Sequence, residues 1–357
     1  MRTSVPVWTC VLAALLLPTS PGAAQTPAAK GPGEKLKTSE VNNWTIGVAG
    51  GFFEGTFIRF AVELAKGLDD GENLRILPIV SYGGNENVND LLYLKGVDIA
   101  IAYTDSLDSA KKSGGIKNID QRINYISELL VGELYVWGRP EIKTLKDLDG
   151  KKVSLGTKGG SATTTGPIVF ERLGVHPEFV YVNNTIALEQ MKTGDIAANV
   201  STGGKPNDLF VKLKPEPGFH FVPIEYGENL ADYYLPCPLA HEDYPQLIPE
   251  GPSVGTLCMP AVLAVYNFPK GSDRARRLAR FIDYYFERFD KLKQPSFHPK
   301  WKDINIAATV PGWTRYWIAA DKLAEMQRTA GALPASLDKE ALFGKFQEWQ
   351  KQQGRKP

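Results

Sequence analysis

The sequence is poor in the residues that most often bind metals. It has three cysteines and four histidines among 357 residues. The histidines, His176, His220, His241 and His298, are scattered, and no group of cysteines and histidines has the spacing of a metal site. The sequence therefore predicts no metal site and no cofactor.

An excess of charge of either sign is also absent. The chain has 41 lysines and arginines against 40 aspartates and glutamates, which gives a formal net charge of +1. Nucleic-acid-binding proteins usually carry a dense basic face, so we do not expect nucleic acid as a partner. What is present is an ordinary globular composition, in a chain long enough for two domains with sizeable cores.

The start of the chain has the pattern of a secretory signal peptide. Arg2 supplies a basic start, an apolar run covers Val5–Leu17, and small residues continue to Ala24. We interpret residues 1–24 as a signal peptide cleaved after Ala24, with a retained anchor as the alternative. Residues 25–41 are rich in proline, glycine, lysine and threonine, and this composition predicts a disordered leader.

Removal of the signal peptide would also remove Cys10, which leaves Cys237 and Cys258 in the exported protein. An oxidising compartment favours a disulfide between two such cysteines. Two buried free thiols are the alternative.

Two stretches of the chain share a pattern of strand, glycine-rich turn and helix start. In the first, a strand over Trp44–Ala49 is followed by Gly50, Gly51 and Gly55, and an amphipathic helix opens at Thr56. A helix start of this kind leaves backbone N–H groups unpaired and carries partial positive charge, which suits an anion. The alternative is a turn that serves only to pack the helix on the sheet.

The second stretch repeats the pattern. A strand over Val153–Leu155 leads into the turn Gly156–Ser161 and a helix over Thr163–Leu173. Its spacing is that of neither a P-loop nor a dinucleotide-binding motif. The repetition favours an anion bound between the two turns.

The strands indicate a two-lobed α/β protein. Strands over Leu74–Val80 and Val97–Tyr103 complete a βαβαβ unit with the first strand, and ligands of such sheets lie beyond the carboxyl ends of the strands. Apolar runs predict separate strands over Ile123–Leu129 and Leu134–Trp137 and another over Ala261–Tyr266. Tyr226–Pro252 is predicted to be irregular, and helices are predicted over Arg274–Lys293 and Ala341–Gln353.

The strands Leu134–Trp137 and Ala261–Tyr266 flank the middle of the chain. We predict one lobe from residues 42–135 with 267–357, another from residues 136–266, and a hinge and cleft between them.

Three segments resemble the TAXI solute receptors of TRAP transporters. They read GVAGGFFEGTFIRFAVELAKGL, VSYGGNENVNDLLYLKGVDIAIAYTDSL and LKDLDGKKVSLGTKGGSATTT. The resemblance implies a periplasmic binding protein of the type II fold, in which each lobe is a mixed sheet flanked by helices and two strands form the hinge. It also implies a small carboxylate ligand, of the glutamate, 2-oxoacid or dicarboxylate type, and a TRAP membrane permease as partner.

We predict that residues around both turns bind the ligand. Phe57, Asn85 and Tyr103 stand where the related receptors usually have tyrosine, serine and glutamine. The full predicted set is Gly55, Thr56, Phe57, Tyr82, Gly84, Asn85, Asn87, Tyr103, Gly160, Ser161, Thr163 and Thr164.

An exported enzyme on the same fold is a competing hypothesis. Ser161 lacks the signature of a nucleophile elbow, and His241 with Glu242 lacks the spacing of a zinc protease motif. The sequence therefore favours a binding protein without catalysis. A further alternative is a binding protein that serves an ATP-driven importer or a sensor.

Overall fold

The computed structural model describes residues 31–330 and shows a mixed α/β architecture. The strands are β1 (Thr45–Ala49), β2 (Arg75–Ile79), β3 (Ile99–Tyr103), β4 (Ile123–Gly138), β5 (Lys152–Ser154), β6 (Glu178–Val180), β7 (Ala198–Gly203), β8 (His220–Phe221), β9 (Leu235–Leu239) and β10 (Val254–Tyr266). The α-helices are α1 (Pro32–Asn43), α2 (Thr56–Leu68), α3 (Gly84–Tyr93), α4 (Thr104–Lys112), α5 (Ile119–Arg122), α6 (Ala162–Arg172), α7 (Asn184–Thr193), α8 (Asp208–Val211), α9 (Asp273–Glu287), α10 (Phe289–Leu292) and α11 (Trp317–Ala330).

The sheet confirms the predicted α/β class and the predicted βαβαβ unit. The strand order is β2-β1-β3-β10-β4-β7-β5-β6, with β8 paired to β4 and β9 paired to β10. Strand β1 is parallel to β2 and β3, and β5 is parallel to β6 and β7. We call β1–β3 the first half-sheet and β5–β7 the second half-sheet.

Two long antiparallel strands, β4 and β10, join the half-sheets. Strand β10 pairs with β3 over Ala261–Val265, and β4 pairs with β7 over Glu133–Gly138. The sequence predicted two short strands within 123–137, which was wrong because the intervening residues also pair with β10. Gly132 lies in this stretch, where a Cβ atom would come within 2.1 Å of the Tyr103 hydroxyl. Glycine is uncommon inside strands, so Gly132 made one continuous strand look like two in the sequence.

Other boundaries also differ from the sequence prediction. Strand β9 lies within the region 226–252 that was predicted to be irregular. Its two prolines have no N–H group to donate, but the strand still pairs with β10 over Leu235–Leu239. The single helix predicted over 274–293 is α9 followed by α10, with a break at Arg288, where φ is −107° and ψ is 10°.

The described part of the predicted leader contains a helix. Helix α1 covers residues 32–43, so most of the described part of the predicted leader is helical. Glu34, Lys35 and Lys37 are good helix formers, and the Thr38 hydroxyl donates to the Glu34 carbonyl over one turn. The signal peptide predicted over 1–24 and the helix predicted over 341–353 lie outside the described residues.

The chain divides into two units at residue 40, and the structure describes residues 31–40 of the first and 41–330 of the second. The second unit holds the whole sheet and its core, where strand residues such as Ile46, Val200 and Leu263 are fully buried. Within residues 31–330, no helix is both long enough and apolar enough to span a bilayer.

The predicted disulfide is present. Cys237 on β9 is bonded to Cys258 on β10, with Cα atoms 5.7 Å apart. The bond ties a short outer strand to one of the two strands that both half-sheets share.

Candidate functional site

A cavity of about 350 Å³ opens at the edge of the sheet where the parallel strands end. All six parallel strands contribute residues at or just beyond their carboxyl ends, which is where ligands of such sheets bind. The lining consists of Gly51, Phe52, Phe53, Glu54, Gly55, Thr56, Phe57, Tyr82, Gly83, Tyr103, Leu155, Gly156, Thr157, Gly160, Ser161, Ala162, Asn183, Asn184, Thr185, Val200, Ser201, Thr202, Gly203, Asn207 and Leu209.

The first predicted turn presents the start of α2 to this cavity. Gly55 is the N-cap, with an extended backbone and no side chain to cap the helix. The backbone N–H groups of Thr56 and Phe57 donate to no residue in the described part of the chain. These two donors, with the partial positive charge of the helix start, are therefore free for an anion.

The second predicted turn presents the start of α6 in the same way. Ser161 is the N-cap and makes no side-chain capping bond. The N–H groups of Ser161 and Ala162 likewise donate to none of residues 31–330. A third helix, α7, also begins at the cavity, but the Asn183 side chain accepts from the Thr185 N–H at 2.8 Å. The two turns found from sequence thus differ from the third in leaving the helix uncapped.

The turns of the two half-sheets touch each other around the cavity. A Cβ atom on Gly84 would lie 2.9 Å from the backbone of Gly160 and Ser161, so only glycine permits this approach. On another side, the Thr56 hydroxyl accepts from the Gly204 N–H at 3.1 Å. Both helix starts are thereby held beside one shared space.

Aromatic side chains form the apolar walls. Phe52 packs edge-on against Tyr82 with ring centres 5.5 Å apart, and Phe57 lies 4.7 Å from Tyr103. Burial, with the nearby carboxylates of Glu133 and Asp105, raises the pKa of Tyr103 well above its ordinary range. Tyr103 is therefore a neutral hydroxyl donor at neutral pH.

Three polar side-chain atoms at the cavity are buried and without a hydrogen-bond partner among the described residues. They are the hydroxyl oxygens of Tyr103 and Ser201 and the amide oxygen of Asn184. Tyr103 is 1% exposed and Ser201 is 6% exposed. Buried polar groups are normally paired, so these atoms point to a ligand or to ordered water.

Seven of the predicted ligand-binding residues line the cavity. They are Gly55, Thr56, Phe57, Tyr82, Tyr103, Gly160 and Ser161. Five do not line it: Gly84, Asn85, Asn87, Thr163 and Thr164.

Four of these five shape or flank the turns behind the cavity. Asn87 is fully buried, and its amide donates to the carbonyls of Gly50 and Ile101 at 2.6 and 2.7 Å. The Thr163 hydroxyl donates to the Gly160 carbonyl at 2.7 Å, and Gly84 makes the close approach described above. The amide oxygen of Asn85 is buried without a partner among the described residues.

Thr164 is the fifth residue outside the lining. It is 6% exposed, and its hydroxyl oxygen also has no hydrogen-bond partner among residues 31–330. Its backbone N–H donates to the Ser161 carbonyl at 3.0 Å, which closes the first turn of α6.

The sequence prediction missed two pairs of polar residues that line the cavity. Asn184 and Thr185 follow β6, and Ser201 and Thr202 lie near the end of β7. The available signal was the polar turn after each strand, which the sequence shows but which is common in α/β proteins. Phe52 was also missed, although it stands inside the first glycine-rich turn.

Asp105, which belongs to one of the family-like segments, lies behind the cavity. It is 1% exposed, and its carboxylate accepts from the Thr165 hydroxyl at 2.6 Å and from the Tyr234 hydroxyl at 3.2 Å. Burial raises the pKa of Asp105 despite these two bonds, which act in the opposite direction. The carboxylate connects α4, beside the first half-sheet, with α6, beside the second.

Two half-sheets joined by two long strands, with a cavity of about 350 Å³ at their carboxyl edge, have the architecture of the type II periplasmic binding protein fold. The chain belongs to the NMT1-like family, whose model matches residues 49–314. Among curated protein sequences, none matches this chain.

Several solved structures show a distant likeness to this chain. They include Tv2483 bound to L-arginine (12% identity, 76% of this chain and 95% of that chain, TM-score 0.43); the periplasmic VFT2 domain of BvgS from Bordetella pertussis (14%, 72% and 94%, TM-score 0.41); and an ancestral arginine-binding protein bound to glutamine (17%, 73% and 96%, TM-score 0.39).

Proposed function

We propose that this chain is an extracytoplasmic solute-binding protein that captures a small carboxylate between its two lobes. It acts without catalysis and delivers the carboxylate to a TRAP membrane permease. The permease and the periplasmic location rest on the resemblance of the three sequence segments to TAXI receptors. The binding role is supported by membership of the NMT1-like family and by the cavity.

The observation that carries the proposal is the pair of uncapped helix starts at one cavity. Each contributes two N–H groups without an acceptor in the described chain and about half a positive charge. The buried, unpartnered hydroxyls of Tyr103 and Ser201 add two donors from the cavity wall. A carboxylate satisfies the N–H donors of the two helix starts, and closure around it strengthens each bond by excluding water.

Movement of the lobes about β4 and β10 would let the ligand enter. We propose the predicted boundaries, residues 42–135 with 267–357 and residues 136–266, as the moving bodies. Along the chain, β4 pairs first with β10 and then with β7, and β10 pairs first with β9 and then with β3. The two strands therefore provide the two crossings that a hinge needs.

The direct test is a thermal-shift panel on the chain after Ala24, with monocarboxylates, dicarboxylates, amino acids, sulfonates and neutral compounds. A ligand at a hundred times its dissociation constant should stabilise the fold by about 2.7 kcal/mol. Stabilisation by neutral or cationic compounds alone would overturn the proposal, and so would conversion of the bound ligand into a product.

Ser161→Asp tests the helix start. The new carboxylate should place a negative charge at the start of α6, and so compete with the ligand for the partial positive charge while keeping the helix stable. We expect at least about tenfold weaker carboxylate binding by calorimetry with little change in melting temperature. Ser272→Asp, at the N-cap of α9, is the matched control and should leave binding unchanged. Equal binding by both variants would place the anion elsewhere.

Uptake of the identified ligand into vesicles tests the partner. The purified protein should support uptake by vesicles that contain a TRAP permease under an ion gradient. Uptake that instead requires ATP and an ATP-driven importer would reassign the partner.

A further inference from the structure

We propose that the ligand is a monoanion: one carboxylate on an otherwise uncharged, mainly apolar body that also carries a hydroxyl or keto oxygen. This inference rests on the proposed function and narrows it, because it sets dicarboxylates and amino acids aside. The cavity's charges, its walls and its buried hydroxyls each bear on it.

The charges at the cavity favour a ligand with a single negative charge. The lining described above has one ionisable acid, Glu54, which is exposed, and it has no lysine, arginine or histidine. The positive potential therefore comes from α2 and α6, each worth about half an elementary charge at its start. Together they balance about one negative charge, and a second carboxylate would be desolvated without a partner.

The cavity offers little to pair with a positive group on the ligand. An ammonium group inside a closed cavity needs a carboxylate or several acceptors. Glu54 is exposed, and the buried Asp105 does not line the cavity and already accepts from Thr165 and Tyr234. The amide oxygen of Asn184 is one unpartnered acceptor at the cavity, which does not suffice for the three protons of an ammonium group, so an amino acid would leave that group poorly paired.

The walls of the cavity are largely apolar and favour an apolar body on the ligand. Phe52, Phe57, Leu155, Val200 and Leu209 give the cavity a large apolar surface. A volume of about 350 Å³ corresponds to roughly a dozen water molecules at about 30 Å³ each. This is more room than a carboxylate group fills, so an apolar body of several carbon atoms is needed to occupy the remainder.

Two buried hydroxyl groups at the cavity favour an oxygen acceptor on the ligand. Tyr103 and Ser201 lie at the cavity with no hydrogen-bond partner in residues 31–330. A hydroxyl or keto oxygen on the ligand can accept from them. A purely hydrocarbon body would leave both unpaired, at a cost to binding.

The experiment compares compounds that share one benzyl group. Phenylpyruvate and 3-phenyllactate carry one carboxylate and one oxygen acceptor. 3-Phenylpropionate lacks that oxygen, benzylmalonate adds a second carboxylate, phenylalanine adds an ammonium group, and 3-phenylpropionamide has no charge. The series with an isobutyl group, from 4-methyl-2-oxopentanoate to leucine, repeats the comparison for a smaller body.

We expect the oxygenated monocarboxylate of at least one series to bind at least about tenfold more tightly than the dicarboxylate, amino acid and amide of that series. Tighter binding of benzylmalonate or phenylalanine would overturn the inference and leave the proposed carboxylate function intact. Tightest binding of the neutral amide would overturn both. Failure of both series, with binding of a small dicarboxylate such as 2-oxoglutarate, would overturn only the inference.

Ser201→Ala tests the role of the buried hydroxyl. The variant should lose most of the preference for 3-phenyllactate over 3-phenylpropionate, while its affinity for 3-phenylpropionate stays within about twofold. Ser253→Ala is the matched control, because the Ser253 hydroxyl is also buried and unpartnered among the described residues but does not line the cavity. An unchanged preference in Ser201→Ala would overturn the assignment of Ser201.

Discussion

At the scale of single residues, His298 makes the strongest prediction. It is 2% exposed, packs against Phe60, and its Nδ1 atom accepts from the Lys300 N–H at 3.2 Å. Burial, followed by the positive charges of Arg59 and Lys300, lowers the pKa of His298 to about 4. The unfolded chain, with an ordinary histidine pKa of about 6.5, therefore binds this proton first as pH falls.

The contribution of His298 to stability is complete above about pH 6.5 and is lost as pH falls towards 4, a change of roughly 3 kcal/mol. Urea unfolding of the protein and of His298→Gln across this range should show a shallower pH dependence in the variant. His176→Gln, at an exposed position, should keep the original slope. Parallel curves for all three proteins would contradict the assignment.

At the scale of elements, the Cys237–Cys258 disulfide stabilises the pairing of β9 with β10. The cysteines are separated by 21 positions, and closing a loop of that length is worth roughly 3 kcal/mol in the loop-entropy account. The oxidised protein should exceed the Cys237→Ala/Cys258→Ala variant by about 2–4 kcal/mol in free energy of unfolding. Reductant should destabilise the parent and leave the double variant unchanged, and an equal response of both would exclude the bond's contribution.

The elements also show how far the sequence leads. The start of α2 could be predicted because glycines and helical periodicity are local signals, and the same holds for α6. Strand β9 could not, because its prolines argue against a strand until β10 is known to lie beside it. Strand and helix periods thus predict local structure, while pairing partners decide the rest.

The site divides along the same line. Thr56 and Ser161 were predicted because their own turns carry the signal. Ser201 and Asn184 come to the cavity only through the folding of β7 and β6 into the second half-sheet, which no local pattern encodes. Asn87 shows the converse: its motif position suggested a ligand, but its amide is used by two backbone carbonyls.

At the scale of the whole molecule, the buried carboxylate of Asp105 is one contact between the two halves, beside the Thr56–Gly204 bond and the approach of Gly84 to Gly160. The carboxylate, on α4, accepts from Thr165 on α6 and from Tyr234. If the lobes separate about β4 and β10, these two bonds break and Asp105 meets water. The bonds therefore favour the closed arrangement, and the apparent affinity for ligand scales with the fraction of molecules that can close.

The Thr165→Val/Tyr234→Phe variant removes both donors and leaves the carboxylate of Asp105 buried without its two hydroxyl partners in the closed arrangement. Closure then buries a carboxyl group that keeps its bonds from Ser106 but has lost two other donors, so we expect ligand affinity to fall by at least about tenfold. At the same subsaturating ligand concentration, X-ray scattering should show a more extended molecule for this variant than for the parent protein. Thr193→Val/Tyr284→Phe removes two exposed hydroxyl-to-carboxylate bonds, to Asp195 and Asp70, that do not bridge the half-sheets. Since that control spares closure, equal losses of affinity in both variants would trace the effect to general destabilisation and refute the coupling.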